Sequence, residues 1–250
     1  MKFQIASDLH IEFKNDQVPD PLTLITPVED ILILSGDIGN LYKIEQLQSF
    51  LTKLCSYFHI VLYVPGNSEY YKVLGYKPES MSTLFGKLLN IEKSIHNLYI
   101  LNNSSVRFDD ICIIGTTLWS KPLVNIPKFI VRIEGMTTNL YKQKHYNDLQ
   151  YINHMITYCK QHNLKLFVVT HYCPTYSVIT NRKKNDKYIS LYASHLDYLL
   201  DKDKIHTWLC GHIHINFDLI TSKGTHLIGN QLGKPKDKII NYKKDCFVEI

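Results

Sequence analysis

The stretch ILILSGD, residues 31–37, decides the fold, because a short apolar run ends there in a serine, a glycine and an aspartate. Continuous apolar runs of this length, rich in Ile and Leu, are typical of strands buried on both faces of a sheet. The same arrangement recurs in KFQIASDLH, residues 2–10, and in IVLYVPGNSE, residues 60–69. The predicted strands therefore cover residues 2–7, 31–35 and 60–64.

Helical periodicity separates these strands and those that follow. Residues 42–58 place Leu47, Phe50 and Leu54 at helical spacing, which predicts a strand-helix-strand crossover. Farther along, we predict a helix over 79–96, followed by closely spaced strands in LYIL, SVRF and ICIIGTTLW. A long helix from Thr137 or Thr138 to about residue 162 comes next, and then a strand in LKLFVV and a short helix around 190–200. The last part of the chain predicts a strand in HTWLC, a hairpin in NFDLITSKGTHLIGN and a final strand near CFVEI. The alternation indicates an α/β protein with an added sheet layer, folded as one domain over residues 1–250.

Composition narrows the class of protein. The chain has 250 residues, is 45% hydrophobic and 20% charged, and carries a formal charge of +5, which suits anionic substrates without indicating a protein that coats nucleic acid. The amino terminus lacks the pattern of a secretory signal, and no apolar run reaches the length of a membrane span. The six scattered cysteines form no CxxC pair, so we expect a reduced, cytoplasmic protein in which Cys112 and Cys210 are core residues.

Residues that bind metals follow five of the predicted strands directly. Open α/β sheets place their binding crevices at the carboxyl ends of strands, so these side chains are expected to meet at one edge. The candidate metal ligands are Asp8, His10, Asp37, Asn67, His171, His212 and His214.

The donor set fits a pair of divalent ions. Two ions about 3.5–4 Å apart need several oxygen and nitrogen ligands and a shared carboxylate. Imidazole with carboxylate and amide oxygen favours Mn, Fe, Zn or Ni and leaves the identity of the metal open. Taken singly, an aspartate at a strand end is often a helix cap and a lone histidine is usually structural, but together the five segments favour a metal site.

Five motifs in the order D-x-H, G-D, G-N-x-E, H and G-H-x-H resemble those of the calcineurin-like metallophosphoesterases. The resemblance implies a four-layer α/β/β/α sandwich of two mixed sheets. It also implies one metal held by Asp8, His10, Asp37 and His214, a second held by Asp37, Asn67, His171 and His212, and catalytic roles for Asp37, Asn67, Glu69 and His171. The implied activity is hydrolysis of a phosphoester or phosphoanhydride, in a small molecule or nucleotide, by hydroxide that two metal ions activate.

The third motif departs from the family, because Ser68 stands where the family carries a histidine that resembles the acid for the leaving group. Its supporting acid, Glu69, remains. Losing a positioned general acid costs roughly 10²–10⁴ in rate, so we predict a preference for diesters or good leaving groups. His145 or His226 could instead supply the proton, although both, like the remaining histidines outside the motifs, are more often structural or surface residues.

Other functions remain open on the sequence alone. The motifs GxSxG and GxxxxGK[ST] are absent, which argues against nucleophile-elbow and P-loop chemistry. A metal-dependent nuclease of the same fold would need a basic, aromatic-lined groove, and a non-catalytic metal-binding scaffold could begin with the loss of a histidine at position 68. The tyrosines at 70 and 71 and the basic stretches 182–184 and 234–244 could border such a cleft, or could simply be packing and solvated residues.

Overall fold

The computed structural model describes residues 1–14, 17–179 and 186–250, which form two stacked β-sheets with helices outside. The strands are β1 (Lys2–Ala6), β2 (Ile31–Ser35), β3 (Ile60–Val64), β4 (Leu98–Ile100), β5 (Ser104–Phe108), β6 (Ile111–Thr116), β7 (Lys165–Thr170), β8 (Thr207–Leu209), β9 (Phe217–Ile220), β10 (His226–Gly229) and β11 (Phe247–Glu249). One sheet has the order β11-β1-β2-β3-β4 and the other β5-β6-β7-β8-β10-β9. Both are mixed, with parallel strands at the centre.

Three helices complete the layers: α1 (Ile44–Cys55), α2 (Met81–Ser94) and α3 (Thr138–Gln161). Ser80 and Thr137 cap α2 and α3 by accepting hydrogen bonds from backbone N–H groups at 3.1 Å. The first two helices cover one sheet and α3 covers the other. A third core of apolar side chains, including Phe3, Ile33 and Phe167, lies between the sheets. The predicted four-layer α/β/β/α arrangement is confirmed.

The predicted helix around residues 190–200 is wrong. The chain forms two short 3₁₀ turns, Ile189–Leu191 and Asp197–Leu199. In this segment, the hydroxyls of Ser190 and Ser194 accept hydrogen bonds from the backbone N–H groups of residues 123 and 121. The backbone is also engaged elsewhere, since Ser194 N donates to the carbonyl of residue 173 at 3.1 Å and the N–H of residue 196 donates to that of residue 174 at 2.8 Å. These N–H groups are therefore not available for the hydrogen bonds that a helix needs.

The cysteines that were expected in the core lie there. All six cysteines are free thiols, and Cys112 and Cys210 lie in the core as predicted. Cys173, beside His171, is also buried and donates its S–H to the Thr175 carbonyl at 3.3 Å. Among the residues that the structure describes, no helix is both long and apolar enough to cross a bilayer.

Candidate metal centre

The loops after β1 and β2 stay side by side beyond the ends of their strands. Asp8 N donates to the Gly36 carbonyl at 2.9 Å and His10 N donates to the Asp37 carbonyl at 3.0 Å. Gly36 has a φ of +89°, and a β-carbon at this position would collide with the ring of His171. Only glycine fits there, so the Gly-Asp pair lets the second sheet deliver its histidine close to the first.

Five of the seven candidate ligands adopt a left-handed backbone, which is uncommon for residues other than glycine. Their φ values range from 48° to 69°, and they are Asp8, His10, Asp37, His212 and His214. Such conformations cost energy and concentrate at functional sites, where the surrounding structure maintains them. Half of the ten described non-glycine residues with a positive φ therefore belong to the motifs found in the sequence.

The candidate ligands gather into two neighbouring groups. Asp8, His10 and His214 form one, while Asp37, His171 and His212 form the other, and the donor atoms within each group lie within 4.8 Å of one another. In the first group, His214 Nε2 lies 3.1 Å from Asp8 Oδ1 and 3.2 Å from His10 Nε2. Three-donor groups of carboxylate and imidazole suit a divalent transition metal, and either group could hold one.

Asp37 lies between the two groups. Its Oδ1 is 3.2 Å from His171 Nε2 in one group, and its Oδ2 is 3.7 Å from His10 Nε2 in the other. Asn67 joins the second group, since its Oδ1 lies 2.9 Å from His171 Nε2. The structure therefore brings all seven candidates together, with Asp37 placed where a shared carboxylate would be.

Each imidazole is held by an outer acceptor on one nitrogen and turns the other toward the site. Outer partners of this kind fix the tautomer and orientation of metal-binding histidines. The pairs are His10 Nδ1 with Glu12 at 2.9 Å, His171 Nδ1 with the Ser35 carbonyl at 3.0 Å, His212 Nε2 with the Leu191 carbonyl at 3.0 Å and His214 Nδ1 with Asp237 at 2.5 Å. Three histidines thus present Nε2 and His212 presents Nδ1.

The pKa values of the candidate ligands depend on two opposing effects, burial and the contacts between carboxylates and imidazoles. Burial alone would raise the pKa of Asp8 and Asp37, but His214 and His171 respectively outweigh it and hold each carboxyl below its usual range. His212 behaves differently, because burial and the neighbouring His171 lower its pKa well below the ordinary value. The aspartates are therefore charged and His212 is neutral, as metal binding requires.

Metal uptake should release protons and become tighter as the pH rises. Burial lowers the pKa of His171 and His214, but nearby carboxylates more than compensate and raise both to about 9, so the metal-free protein holds these protons at neutral pH. An ion must displace them, because a protonated imidazole is not a ligand. We expect the apparent affinity for Mn²⁺ to fall from pH 9 to roughly pH 6, with proton release seen by calorimetry in buffers of different ionisation enthalpy. Uptake at neutral pH without proton release would contradict this.

Glu69 lies behind the metal centre and ties its loops together. Its Oε1 accepts from Ile38 N at 2.9 Å and from the Tyr63 hydroxyl at 2.6 Å, and its Oε2 accepts from Gly66 N at 2.9 Å. Burial and the charge of Asp37 raise its pKa well above the ordinary value. Glu69 therefore acts on the geometry of the loops that carry Asp37 and Asn67.

Ser68 contacts Asp37 twice. Its backbone N–H donates to Oδ1 at 2.8 Å and its hydroxyl donates to Oδ2 at 2.7 Å. In the place where the family has an imidazole, this chain therefore carries a small donor that orients the central carboxylate.

A cavity of about 370 Å³ opens onto the second group of ligands, and tyrosines form much of its wall. The Tyr172 ring lies 4.0 Å from the His212 ring, and the Tyr141 hydroxyl donates to the Tyr172 hydroxyl at 2.8 Å. The other tyrosines of the wall are Tyr71, Tyr188 and Tyr192. Such a wall suits a flat, aromatic substrate group.

The other residues that the sequence suggested for the site divide into those that line the cavity and those that do not. Tyr70 is buried in the core, whereas Tyr71 lines the cavity, and two residues of the basic stretch 234–244, Lys234 and Lys236, lie on its rim. The stretch 182–184 lies outside the described residues. Neither histidine considered as a proton donor lines this cavity: His145 Nδ1 contacts the Trp119 carbonyl, and His226 pairs with Asp218 at the opposite end of the sheet.

Sequence reasoning missed the outer partners of the histidines. Glu12 follows His10 by two residues and could have been suspected from that spacing, because metal-binding histidines commonly donate to carboxylates. Asp237 is 23 residues from His214 and carries no local signal. Tyr141 and Tyr192 likewise carry no local signal, whereas Tyr172 directly follows His171 and could have been suspected from that position.

Comparison with known proteins agrees with this geometry. A family profile described as calcineurin-like phosphoesterase matches residues 1–216. An uncharacterized protein of Acanthamoeba polyphaga mimivirus is 27% identical over 274 residues, covering 98% of this chain and 95% of that protein. The crystal structure of a phosphopantetheinyl hydrolase from Mycobacterium tuberculosis is similar with a TM-score of 0.72 at 14% identity, covering 96% of this chain and 93% of that one. At that identity, the likeness supports the fold.

Proposed function

The chain belongs to the calcineurin-like phosphoesterase family, whose members hydrolyse phosphoesters, and on this premise we propose that it cleaves diesters or anhydrides with good leaving groups. The observation that carries the preference is Ser68, which donates to Asp37 and offers no acid for a leaving alkoxide. The two ligand groups, with Asp37 between them, support the hydrolytic centre itself.

The residues present fit two divalent ions. Asp8, His10 and His214 would hold one ion, and His171, His212 and Asn67 the other, with Asp37 shared between them. When bound, such ions supply an activated water and neutralise the oxygens of the phosphoryl group. Mn, Fe, Zn and Ni all suit these donors.

The protein's own residues orient the groups of the metal centre. Asp37 is held by Ser68 on one side and faces His171 on the other, so its carboxylate cannot rotate freely. Glu69 positions the loop of Asn67 through Gly66. Rigid placement of this kind is a major source of rate enhancement, because reacting groups are then held in line without reorganisation.

Leaving-group chemistry distinguishes the possible substrates. Protonation matters most for a poor alkoxide and least for an aryl oxide or a phosphate, so the lack of an acid at position 68 penalises alkyl monoesters selectively. The tyrosine wall supports a substrate with an aromatic part, such as an aryl ester or a nucleotide. A reducing, cytoplasmic setting would suit the six free thiols.

A substrate panel tests this function. The metal-loaded protein should hydrolyse bis-aryl and mono-aryl phosphates and a nucleotide anhydride, and should turn over an alkyl monoester about 10²-fold less efficiently than the aryl monoester. A phosphopantetheinyl ester belongs in the panel, because the similar structure is named for that group. Equal rates on alkyl and aryl monoesters would contradict the preference. Cleavage of single-stranded DNA alone would favour the nuclease.

A further inference from the structure

A second cavity of about 250 Å³ lies beside the first and shares two residues with it, Tyr71 and Lys234. Ser68 forms part of its wall. This residue also touches Asp37, so the second cavity begins at the metal centre. A substrate held at the metal centre could therefore reach into it past Ser68.

Positive charge dominates the second cavity. Among the described residues, four cations line it, Lys43, Lys72, Arg132 and Lys234, and Glu12 is the one carboxylate of the lining. Glu12 Oε1 already faces His10 Nδ1 at 2.9 Å, so part of its charge is directed toward the metal centre. Because these cations outnumber the acid, the cavity attracts an anion.

Backbone contacts position these cations. Lys72 N donates to the Arg132 carbonyl at 2.8 Å, which holds the two loops side by side. The Arg132 guanidinium carbon lies 5.4 Å from the centre of the Tyr71 ring, and Lys72 Nζ lies 3.1 Å from Glu134. Stacking on an aromatic face leaves the edge of a guanidinium available for a planar or tetrahedral anion.

We propose that this cationic cavity binds a second phosphate group of the substrate, so that the enzyme acts on compounds carrying two phosphates, one at the metal centre and one beside Ser68. The inference rests on the proposed function of the metal centre. Ser68 gives the proposal its geometry, since it lines this cavity and also bonds to Asp37 at the metal centre.

A single phosphate group fits the second cavity better than a nucleic-acid chain does. The cavity has the size of a single substituent, and Phe13, Val73 and Leu74 form an apolar part of its lining. A nucleic-acid groove would extend the charge along several successive phosphates. The arginine and lysines instead line one cavity of about 250 Å³, as in a site for a single phosphate.

Direct binding tests the proposal independently of turnover. Calorimetry on the metal-loaded protein would compare adenosine 5′-monophosphate with two probes that add one phosphate and contain no anhydride bond to hydrolyse, adenosine 5′-(α,β-methylene)diphosphate and adenosine 3′,5′-bisphosphate. We expect at least one probe to bind about tenfold more tightly than the monophosphate. In Lys72→Gln/Arg132→Gln, that advantage should shrink to about twofold or less.

A matched control removes the same charges elsewhere. Lys165 is ion-paired with Asp110 at 3.2 Å, much as Lys72 is with Glu134, and Arg107 bonds the Asp109 carbonyl at 2.8 Å. Both lie at the opposite end of their sheet from His171. Lys165→Gln/Arg107→Gln should therefore keep the wild-type ratio of affinities, and thermal unfolding of both double variants checks their folding.

Three results would overturn the proposal: neither probe binding more tightly than the monophosphate, the advantage surviving in Lys72→Gln/Arg132→Gln, or only an oligonucleotide showing the charge dependence. An absence of aryl phosphate turnover in the wild type, by contrast, would refute the proposed function while the binding ratio still reports on the cavity. The two failures are thus distinguishable.

Discussion

Asp37→Asn should abolish nearly all hydrolysis, with kcat/KM for an aryl phosphate falling by about 10³-fold or more. Asp37 lies 3.2 Å from His171 and 3.7 Å from His10, so its charge serves both ligand groups. Asparagine keeps the shape but removes the charge that would hold and link two ions. Because bound metals contribute several kcal/mol to such reactions, losing them corresponds to a fall of about 10³-fold. Kinetics with metal analysis by mass spectrometry checks the result.

Asp148→Asn is the matched control for this variant. Asp148 is also a buried aspartate, and it accepts hydrogen bonds from Asn103 Nδ2 at 3.0 Å and from Trp119 N at 3.3 Å. Burial raises its pKa, whereas at Asp37 the contact with His171 outweighs burial. Asp148→Asn should keep its metal and its turnover. If Asp37→Asn retained two metals and wild-type turnover, the shared-carboxylate assignment would be wrong.

Ser68→His should raise kcat/KM for an alkyl phosphomonoester by about 10²-fold while leaving aryl phosphates within a fewfold of the wild type. The new imidazolium would stand beside Asp37, where Ser68 now donates, and could protonate a poor leaving alkoxide. An aryl oxide needs little such help. The variant should also gain an alkaline limb in its pH profile on the alkyl ester, as the imidazolium loses its proton.

Ser68→Gln separates acid catalysis from size. Glutamine is similarly bulky and polar but cannot act as a proton donor of this strength, so it should give no gain on the alkyl ester. Both variants place a larger side chain in the wall of the second cavity, of which Ser68 is part, and so should weaken the binding of adenosine 3′,5′-bisphosphate more than that of the monophosphate. An equal gain on alkyl and aryl esters with Ser68→His would argue against a missing acid.

Local patterns predicted most of the fold. The central strands and the helices at Met81–Ser94 and Thr138–Gln161 lie within a few residues of their predicted positions, because apolar periodicity and the caps at Ser80 and Thr137 are local signals. The segment around 190–200 failed because Ser190 and Ser194 bond to residues 121–123. Its conformation depends on a neighbour some 70 residues away.

The donors of the candidate site were predictable for a related reason. Each follows a strand, and parallel strands bring their carboxyl ends to one edge, so residues as far apart as Asp8 and His214 could be expected to meet. The partition into two groups, and which nitrogen of each histidine faces the site, could not be read from the sequence. Those features depend on acceptors such as Asp237 and the Leu191 carbonyl.

The amino-acid sequence by itself determined the α/β class, the succession of strands along the chain and the candidate metal donors, because periodicity and strand-end motifs involve neighbouring residues. Only the tertiary structure decided that Asp37 stands between two ligand groups, that tyrosines wall the cleft, and that Lys72 and Arg132 meet beside Ser68. These features bring together segments that are far apart in the chain. The distances between such segments are set only when the two sheets stack, so they cannot be read from the sequence.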